Sequence, residues 1–336
     1  MVVIASFSLS GCSESISFDP THLRPSLHTP TATPAATKLI FSVATQSEVT
    51  WTCTAITVSR QDASSNPFTS GVTTVNFSGT SALFFSNSSC SSSITSAAII
   101  DTTSSITVYV WFTAAGSKTI TAAATSLTSG TQSNTVTLDP FTWTGTFGDQ
   151  KWSTATNWSG GVAPTSSGQH AVFDSNCTIC NATVDVGVSS LSIDQIYLHS
   201  TYVGSITQGT GNTITLNSFN QDGGTFIGGN ASITSLAVNL AGGTFTSTSG
   251  NFTLGGHNGS AVIANTFHAN AGTVTTAGDF NGFKAGGIQL NRLVLVGNNL
   301  NLYGTILVSG DLSVTANSNI SGPGKIKLNG SGLSHA

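Results

Sequence analysis

Two segments of the chain alternate apolar and polar residues with a period of two, the pattern of half-buried β-strands. In the first segment, residues 38–139, short runs such as KLIFSVAT, CTAITVS and SITVYVWF are separated by Gly, Asn, Ser and Pro. Runs of this length and spacing are typical of antiparallel sandwiches of about 100 residues. We therefore predict an all-β sandwich over residues 38–139.

The second segment, residues 181–336, repeats itself. The sequence Gly-Gly-Thr-Phe begins at Gly223 and again at Gly242, and it returns as Ala-Gly-Thr-Val from Ala271. Such a short period indicates a repeat architecture. Gly or Asn lies at the predicted corners between strands, where left-handed backbone angles cost these residues little. The pattern predicts a right-handed parallel β-helix, or β-solenoid. Because the rhythm continues to Gly330, we expect a truncated piece of a longer solenoid, rather than an exposed or partner-covered last coil.

Residues 140–180 link these segments and contain three tryptophans within sixteen residues: Trp143, Trp152 and Trp158. The end of a solenoid exposes an apolar face that must be capped, so we expect the three side chains to cap the first coil. The alternative is a sugar-stacking platform, since an aromatic ring can bind the apolar face of a sugar.

The chain begins with an apolar run that contains Cys12. A secretory signal joins a charged start to an apolar stretch and a cleavage site of small residues. No Lys or Arg precedes Cys12, so we expect residues 1–12 to be a truncated signal; an uncleaved leader with a free thiol is the alternative. The run is shorter than the about 20 apolar residues that span a bilayer. Residues 13–37, rich in Pro, Ser and Thr, predict a flexible tether.

Three resemblances to known families add to these patterns. Leu9–Cys12, LSGC, resembles the lipobox of bacterial lipoproteins, which implies cleavage before Cys12 and attachment of lipid to that residue. The phrase ITVSRQDASSNPFTSGVTTVNFSG, followed later by AAGSKTITAAAT, resembles the bacterial Ig-like domains of invasin-type surface proteins, which mostly act as stalks. The Trp-rich segment resembles the start of β-solenoid regions in large secreted bacterial surface proteins.

Together the resemblances imply a lipid-anchored surface protein, attached to the bacterial outer membrane or secreted, that acts as a structural element or an adhesin. Its expected partners are the membrane, through the lipid on Cys12, and a glycan or another cell surface. The ligand and the oligomeric state stay open.

Apart from Cys12, the chain has an even number of cysteines, as is usual for disulfide-bonded exported proteins. Cys53 and Cys90 lie in the predicted sandwich, whereas Cys177 and Cys180 form a Cys-x-x-Cys pair. We predict one disulfide within each pair.

Zinc is the alternative at Cys177 and Cys180, because structural zinc sites use cysteine and histidine ligands. Only His170 and His199 are near in sequence to complete such a site. A redox-active pair would need a helix terminus to lower the thiol pKa, and no helix is predicted here.

Charge excludes several classes of function. Charged residues make up 7% of the chain and the net charge is −4. Lys and Arg are scattered singly, so no basic stripe is available to neutralise nucleic-acid phosphates. No Gly-rich phosphate loop leads into Lys-Ser or Lys-Thr. We expect no nucleic acid, no cofactor and no metal.

A carbohydrate-active enzyme, a polysaccharide lyase or hydrolase with a β-helix catalytic domain, is the alternative function. Its chemistry requires clustered carboxylates, or carboxylates beside Lys or Arg. The Asp residues of the solenoid are widely spaced, and the best cluster is Asp279 with Lys284 and Arg292. A surface role explains this cluster equally well, and we assign no catalytic residue.

We expect Cys12 to carry lipid in the mature protein. Cys12→Ser should move the protein from the membrane fraction to the soluble fraction, because each buried methylene of a lipid chain contributes about 0.8 kcal/mol to membrane binding. Mass spectrometry of membrane-extracted protein should find a lipid-bearing Cys12 at the amino terminus. A mature protein that keeps residues 1–11 would contradict this expectation.

Overall fold

The structure is a computed structural model. It describes residues 17–18, 25–26, 35–185, 187, 190–255, 261–263, 266–277, 280–296, 299–314 and 319–329. Cys12 and most of the predicted tether lie outside these residues. Within the tether, strand β1 (Ser17–Phe18) pairs antiparallel with β2 (Pro25–Ser26).

The chain forms two compact units. The first comprises residues 1–48 and 52–135, and the second comprises residues 49–51 and 136–336. The strands of the first unit, two of which run on past its limits, are β3 (Lys38–Phe41), β4 (Thr45–Val49), β5 (Thr54–Gln61), β6 (Thr73–Gly79), β7 (Ala82–Phe85), β8 (Ser93–Ile94), β9 (Ser96–Ile99), β10 (Ser105–Phe112), β11 (Gly116–Ala123) and β12 (Gly130–Thr137).

The first unit is built from two five-stranded sheets, with strand orders β3-β5-β10-β7-β8 and β4-β12-β11-β6-β9. Strand β5 pairs antiparallel with β3 and β10, and β6 pairs antiparallel with β9 and β11. Alternation buries one face of each strand, as at Val58 and Val110, both 0% exposed. Phe77 of one sheet stacks on Phe84 of the other, with ring centroids 5.4 Å apart. The all-β prediction is confirmed, and the immunoglobulin-like assignment stays a prediction.

A disulfide joins Cys53 and Cys90 within the first unit, with Cα atoms 5.9 Å apart. The bond closes a loop across 37 positions of the sequence. A cross-link over a loop of this length removes denatured-state entropy worth about 4 kcal/mol in the chain-entropy model.

The second unit contains one short 3-10 helix (Ala155–Asn157) and a long series of strands. These are β13 (His170–Phe173), β14 (Ala182–Val184), β15 (Ser190–Leu198), β16 (Ser205–Gln208), β17 (Thr213–Gln221), β18 (Thr225–Ile227), β19 (Ile233–Leu240), β20 (Thr244–Thr246), β21 (Asn251–Leu254), β22 (Ala261–Ile263), β23 (Thr266–His268), β24 (Thr273–Ala277), β25 (Phe280–Leu290), β26 (Arg292–Val296), β27 (Asn299–Val308), β28 (Leu312–Val314), β29 (Asn319–Ser321) and β30 (Lys325–Leu328).

These strands build a parallel β-solenoid. Successive coils contribute to one long sheet, which runs from β13 to β30, and to a second sheet ordered β14-β16-β18-β20-β23. Ile214 pairs with Ile233 and Ile233 with Phe252, so each of these coils takes 19 residues. The predicted solenoid is confirmed, with about six coils; its right-handedness stays a prediction.

The core of the solenoid consists of inward-facing columns, each with one side chain per coil. Leu191, Ile214, Ile233, Phe252 and Val274 occupy one register and are 0–2% exposed. Side chains of a strand alternate between faces, so the residues on either side of each column member point outward.

The Gly-Gly-Thr-Phe repeats form a second column on the other sheet. Phe226 pairs with Phe245, and their ring centroids lie 4.9 Å apart. The next ring in the column is Phe267, 5.5 Å from Phe245. The expected third copy of the repeat, which begins at Ala271, lies instead at the start of β24 in the long sheet. Phe267, 22 residues after Phe245, takes the next position of the column, and Val274 of the Ala-Gly-Thr-Val sequence pairs instead with Phe252.

The second glycine of each repeat turns a corner where coils stack closely. Gly243 has φ +72°, and a Cβ built there would lie 2.2 Å from the carbonyl oxygen of Gly224. Gly224 has φ +62°, and its Cβ would lie 2.3 Å from the ring of Tyr202. Both the backbone angle and the contact with the preceding coil therefore require glycine.

Gly243→Ala should destabilise the solenoid more than its backbone angle alone predicts. A left-handed angle costs an ordinary residue about 1–2 kcal/mol, and here the new methyl group also displaces the coil beside it. Gly211→Ala is the matched control, because Gly211 has φ +79° and open space around its Cβ position. Urea unfolding of the full chain should show the larger loss for Gly243→Ala. Equal losses would show that close stacking contributes nothing.

Candidate functional site

The Trp-rich segment adds a partial coil in front of the first strand of each sheet. Thr142 forms a parallel bridge with Val172 of β13, and Lys151 forms one with Thr183 of β14. The amide of Trp152 donates to the Thr183 carbonyl at 2.8 Å. An uncovered sheet edge exposes unpaired backbone groups, and this segment covers both edges with the same stretch of chain.

The three tryptophans lie inside the solenoid core. Trp143 and Trp152 are 0% exposed and Trp158 is 2% exposed, and all three surround the ring of Phe173 at 5.8–6.0 Å. Each indole N–H donates to a backbone carbonyl at 2.8–2.9 Å. Because the three residues are at most 2% exposed and belong to the core, their rings are not presented to a sugar, and they contribute to the packing of the first coil.

Cys177 and Cys180 form a disulfide in the second unit. His170 contacts Asp139, and His199 is 2% exposed, with its ring 3.7 Å from that of Tyr197. The four residues considered as zinc ligands are thus engaged in other contacts. Among the residues that the structure describes, no group of three or more His, Cys, Asp or Glu side chains is placed to hold a metal ion.

His170 contacts Asp139, with Nε2 2.9 Å from Oδ2. The hydrogen bond to Asp139 raises the pKa of His170, burial opposes the rise, and the charges of Asp139 and Asp194 add to it. Ser159 lies nearby, but its hydroxyl donates to the backbone carbonyl of Asp139 and not to the imidazole. The three residues therefore lack the serine–histidine hydrogen bond that activates a nucleophile.

The carboxylates of the solenoid connect neighbouring coils. Asp185 accepts hydrogen bonds from the amide and hydroxyl of Ser153, and Asp222 accepts one from the Tyr197 hydroxyl at 2.8 Å. Asp185 and Asp222 therefore hold neighbouring coils together. The enzyme alternative is not supported.

Of the predicted cluster of Asp279, Lys284 and Arg292, only Arg292 has a side chain among the described residues. Asp279 lies outside the described residues, and so does the side chain of Lys284. Arg292 pairs with Asp311, 2.9 Å away on the solenoid surface.

A column of hydroxyl side chains runs along the outside of the long sheet. Its members share one register on five successive strands, and we call them the hydroxyl wall: Ser192, Thr215, Thr234, Thr253 and Thr275. All five are exposed or half-buried, and none carries a charge. A second outward column beside it holds Ser190, Thr213, Asn251 and Thr273.

Hydrogen bonds fix part of this surface. The hydroxyl of Thr213 donates to that of Ser190 or accepts from it at 3.0 Å, and Thr275 donates to Asn251 at 2.7 Å. Asn251 in turn donates to Thr253 at 2.9 Å. Threonine is stiff at χ1, so the wall presents hydroxyl and methyl groups in a regular array.

An open cleft of about 840 Å³ lies in the second unit beside the Trp-rich segment. Two large aromatic residues line it: Phe147, which is 65% exposed, and Trp158, which is 2% exposed. Phe147 was not among the residues predicted from the sequence of this segment, where the tryptophans were the candidates. Its position in the sequence GTFG, between Gly145 and Gly148, is a turn signal that places an aromatic at a loop tip.

Part of the chain is similar to solved structures of S-layer proteins. No protein-family model and no curated protein matches the chain. A solved structure of domains 4 and 5 of the S-layer protein SbsC is 23% identical, with 31% of this chain and 53% of that chain covered and a TM-score of 0.24. Domains 1–6 of the surface layer protein SbsC are 24% identical, with 32% and 14% covered and a TM-score of 0.24. The chain thus spans about half of the two-domain SbsC structure.

No helix within the described part of the chain is both long and apolar enough to cross a membrane.

The His170–Asp139 contact should make stability depend on pH. Because the contact raises the pKa of His170 above the ordinary histidine value of 6.5, the stabilisation is fully present below pH 6.5 and is lost as the pH rises through the folded-state pKa. His170→Gln should therefore lower the unfolding midpoint in urea more at about pH 5.5 than at about pH 8.5. Asp139→Asn should remove the same pH dependence. A deficit of His170→Gln that does not change with pH would contradict an ionic contact.

Proposed function

We propose that this chain is a structural or adhesive protein of the bacterial cell surface, and that its solenoid carries the contact surface. The observation behind the proposal is the hydroxyl wall. Five successive strands place Ser or Thr at one register, so hydroxyl groups recur at the strand spacing of about 4.8 Å. The members named in both columns are Ser, Thr or Asn and carry no charge; the second column reaches a charged residue, Arg292, on the strand after Thr273.

An uncharged hydroxyl array suits a partner that both donates and accepts hydrogen bonds, such as a glycan or a glycan-coated cell. Each hydrogen bond contributes only about 0.5–1.5 kcal/mol net, so a single wall binds weakly. Many copies displayed on one cell convert modest affinity into avidity. Weak contacts from each chain are therefore sufficient for attachment.

We propose that the first unit is an immunoglobulin-like stalk, that residues 13–37 are a tether, and that lipid on Cys12 holds the chain at the outer membrane. The two disulfides support an oxidising location outside the cytoplasm. Nucleic acid is not a proposed partner, because the chain has only 9 Lys and Arg residues in total.

Replacing wall threonines by valine tests the proposal. The triple variant Thr215→Val, Thr234→Val, Thr253→Val removes three hydroxyl groups while it keeps side-chain volume and strand propensity. Attachment of cells that display the full chain, to plates coated with neutral polysaccharide, with mucin or with a second bacterial strain, should fall about tenfold or more for at least one coating.

The matched control changes the other sheet. Thr207→Val, Thr225→Val, Thr244→Val alters three outward threonines of the second sheet, and attachment should stay at the wild-type level. Surface display of each variant is quantified by antibody. Equal attachment of the wall variant and the wild type, or an equal loss in both triple variants, would overturn the role of the wall.

A further inference from the structure

The cleft beside the Trp-rich segment has the size of a small-molecule site. Its volume of about 840 Å³ lies within the range of roughly 300–1,000 Å³ that ligand pockets occupy. Phe147, Thr144, Thr146, Thr156, Ser159 and Gly160 are among its lining residues. All of the residues that line the cleft are uncharged, so its chemistry is aromatic, aliphatic and hydroxylic.

The loop that carries Phe147 packs against the backbone of Ile179 and the side chain of Asn157. Gly145 has φ +61°, and a Cβ there would lie 2.0 Å from the carbonyl oxygen of Ile179, so the loop rests directly on that backbone. The amide of Phe147 donates to the side-chain oxygen of Asn157 at 3.1 Å. Asn157 is itself 0% exposed and donates to Asp149 at 2.7 Å. These contacts anchor the backbone of Phe147 while 65% of the residue stays exposed.

Hydroxyl groups accompany the exposed ring. Thr144 and Thr146 have hydroxyl oxygens 2.6 Å apart, and the Thr144 hydroxyl also donates to the carbonyl of Asn157 at 3.0 Å. Thr146 and Thr156 are exposed in the cleft. Each hydroxyl has one donor and two acceptor positions. Because the Thr144 proton goes to Asn157, the Thr146 hydroxyl donates to Thr144 and keeps acceptor positions for a ligand.

We propose that this cleft binds a neutral pyranose with mainly equatorial hydroxyls, whose C–H face stacks on Phe147 while its hydroxyls bond to Thr146 and Thr156. An aromatic face binds an apolar surface without requiring charge, and equatorial hydroxyls leave the axial C–H bonds on the face of the sugar ring. The uncharged lining offers no cation to an anionic sugar. This site is separate from the hydroxyl wall, and the inference does not depend on the wall's role.

Isothermal titration calorimetry with the full chain tests the proposal. The probes are cellotetraose and tetra-N-acetylchitotetraose, which are neutral, and an oligogalacturonate, which is anionic. We expect at least one neutral probe to bind and the oligogalacturonate not to bind. Phe147→Ala should weaken neutral-probe binding about tenfold, because stacking against an aromatic ring is lost, whereas Phe147→Tyr should bind as the wild type does.

The control for removal of an exposed apolar side chain is Val203→Ala, since Val203 is 85% exposed and does not line the cleft. This variant should bind like the wild type. Failure of all neutral probes to bind, binding of the oligogalacturonate alone, or undiminished binding by Phe147→Ala would each overturn the proposal. Cell attachment is measured independently, so loss of this inference would leave the proposed surface function intact.

Discussion

The close stacking of each coil's backbone on the next is the constraint on which the second unit depends. Parallel strands lie about 4.8 Å apart, so a side chain at a corner has no room where the backbones of two coils meet. At Gly242 a Cβ would lie 2.2 Å from the carbonyl oxygen of Asp222, and at Gly228 it would lie 2.4 Å from the backbone of Ser247. The same stacking aligns equivalent residues into columns, which makes both an apolar core and a regular outer surface from one repeated pattern.

Stacking also buries backbone polar groups inside the solenoid, and these groups need hydrogen-bond partners. Gln221 is 0% exposed, and its side-chain amide donates to the carbonyls of Gly223, Gly224 and Thr244 at 3.1–3.3 Å. The amide thus joins a corner of its own coil to the next coil. A buried polar group costs stability unless it is paired. These hydrogen bonds give donors to carbonyl groups that apolar packing alone would leave unpaired, and they join neighbouring coils.

The Trp-rich segment both covers the leading edges of the two sheets and fills the core of the first coil. Its backbone bridges at Thr142 and Lys151 cover the leading edges of both sheets, and its indole rings fill the core beneath. The packing that buries the three tryptophans also anchors the loop above them through Asn157. The backbone of Phe147 is therefore held by the packed core through Asn157. A binding residue needs such support if it is to keep its position without a ligand.

The sequence by itself determined the strand-rich character, the solenoid repeats and the cysteine pairs, because each depends on alternation, spacing or composition among near neighbours. Tertiary structure decided which aromatic rings are buried and which is presented: the three tryptophans fill the core, whereas Phe147 is exposed. It also decided that Phe267, and not the similar Ala-Gly-Thr-Val sequence, continues the column of Phe245. Coil lengths of 19 and 22 residues set that register, and a local pattern cannot reveal which residue comes to lie above another when coil length varies.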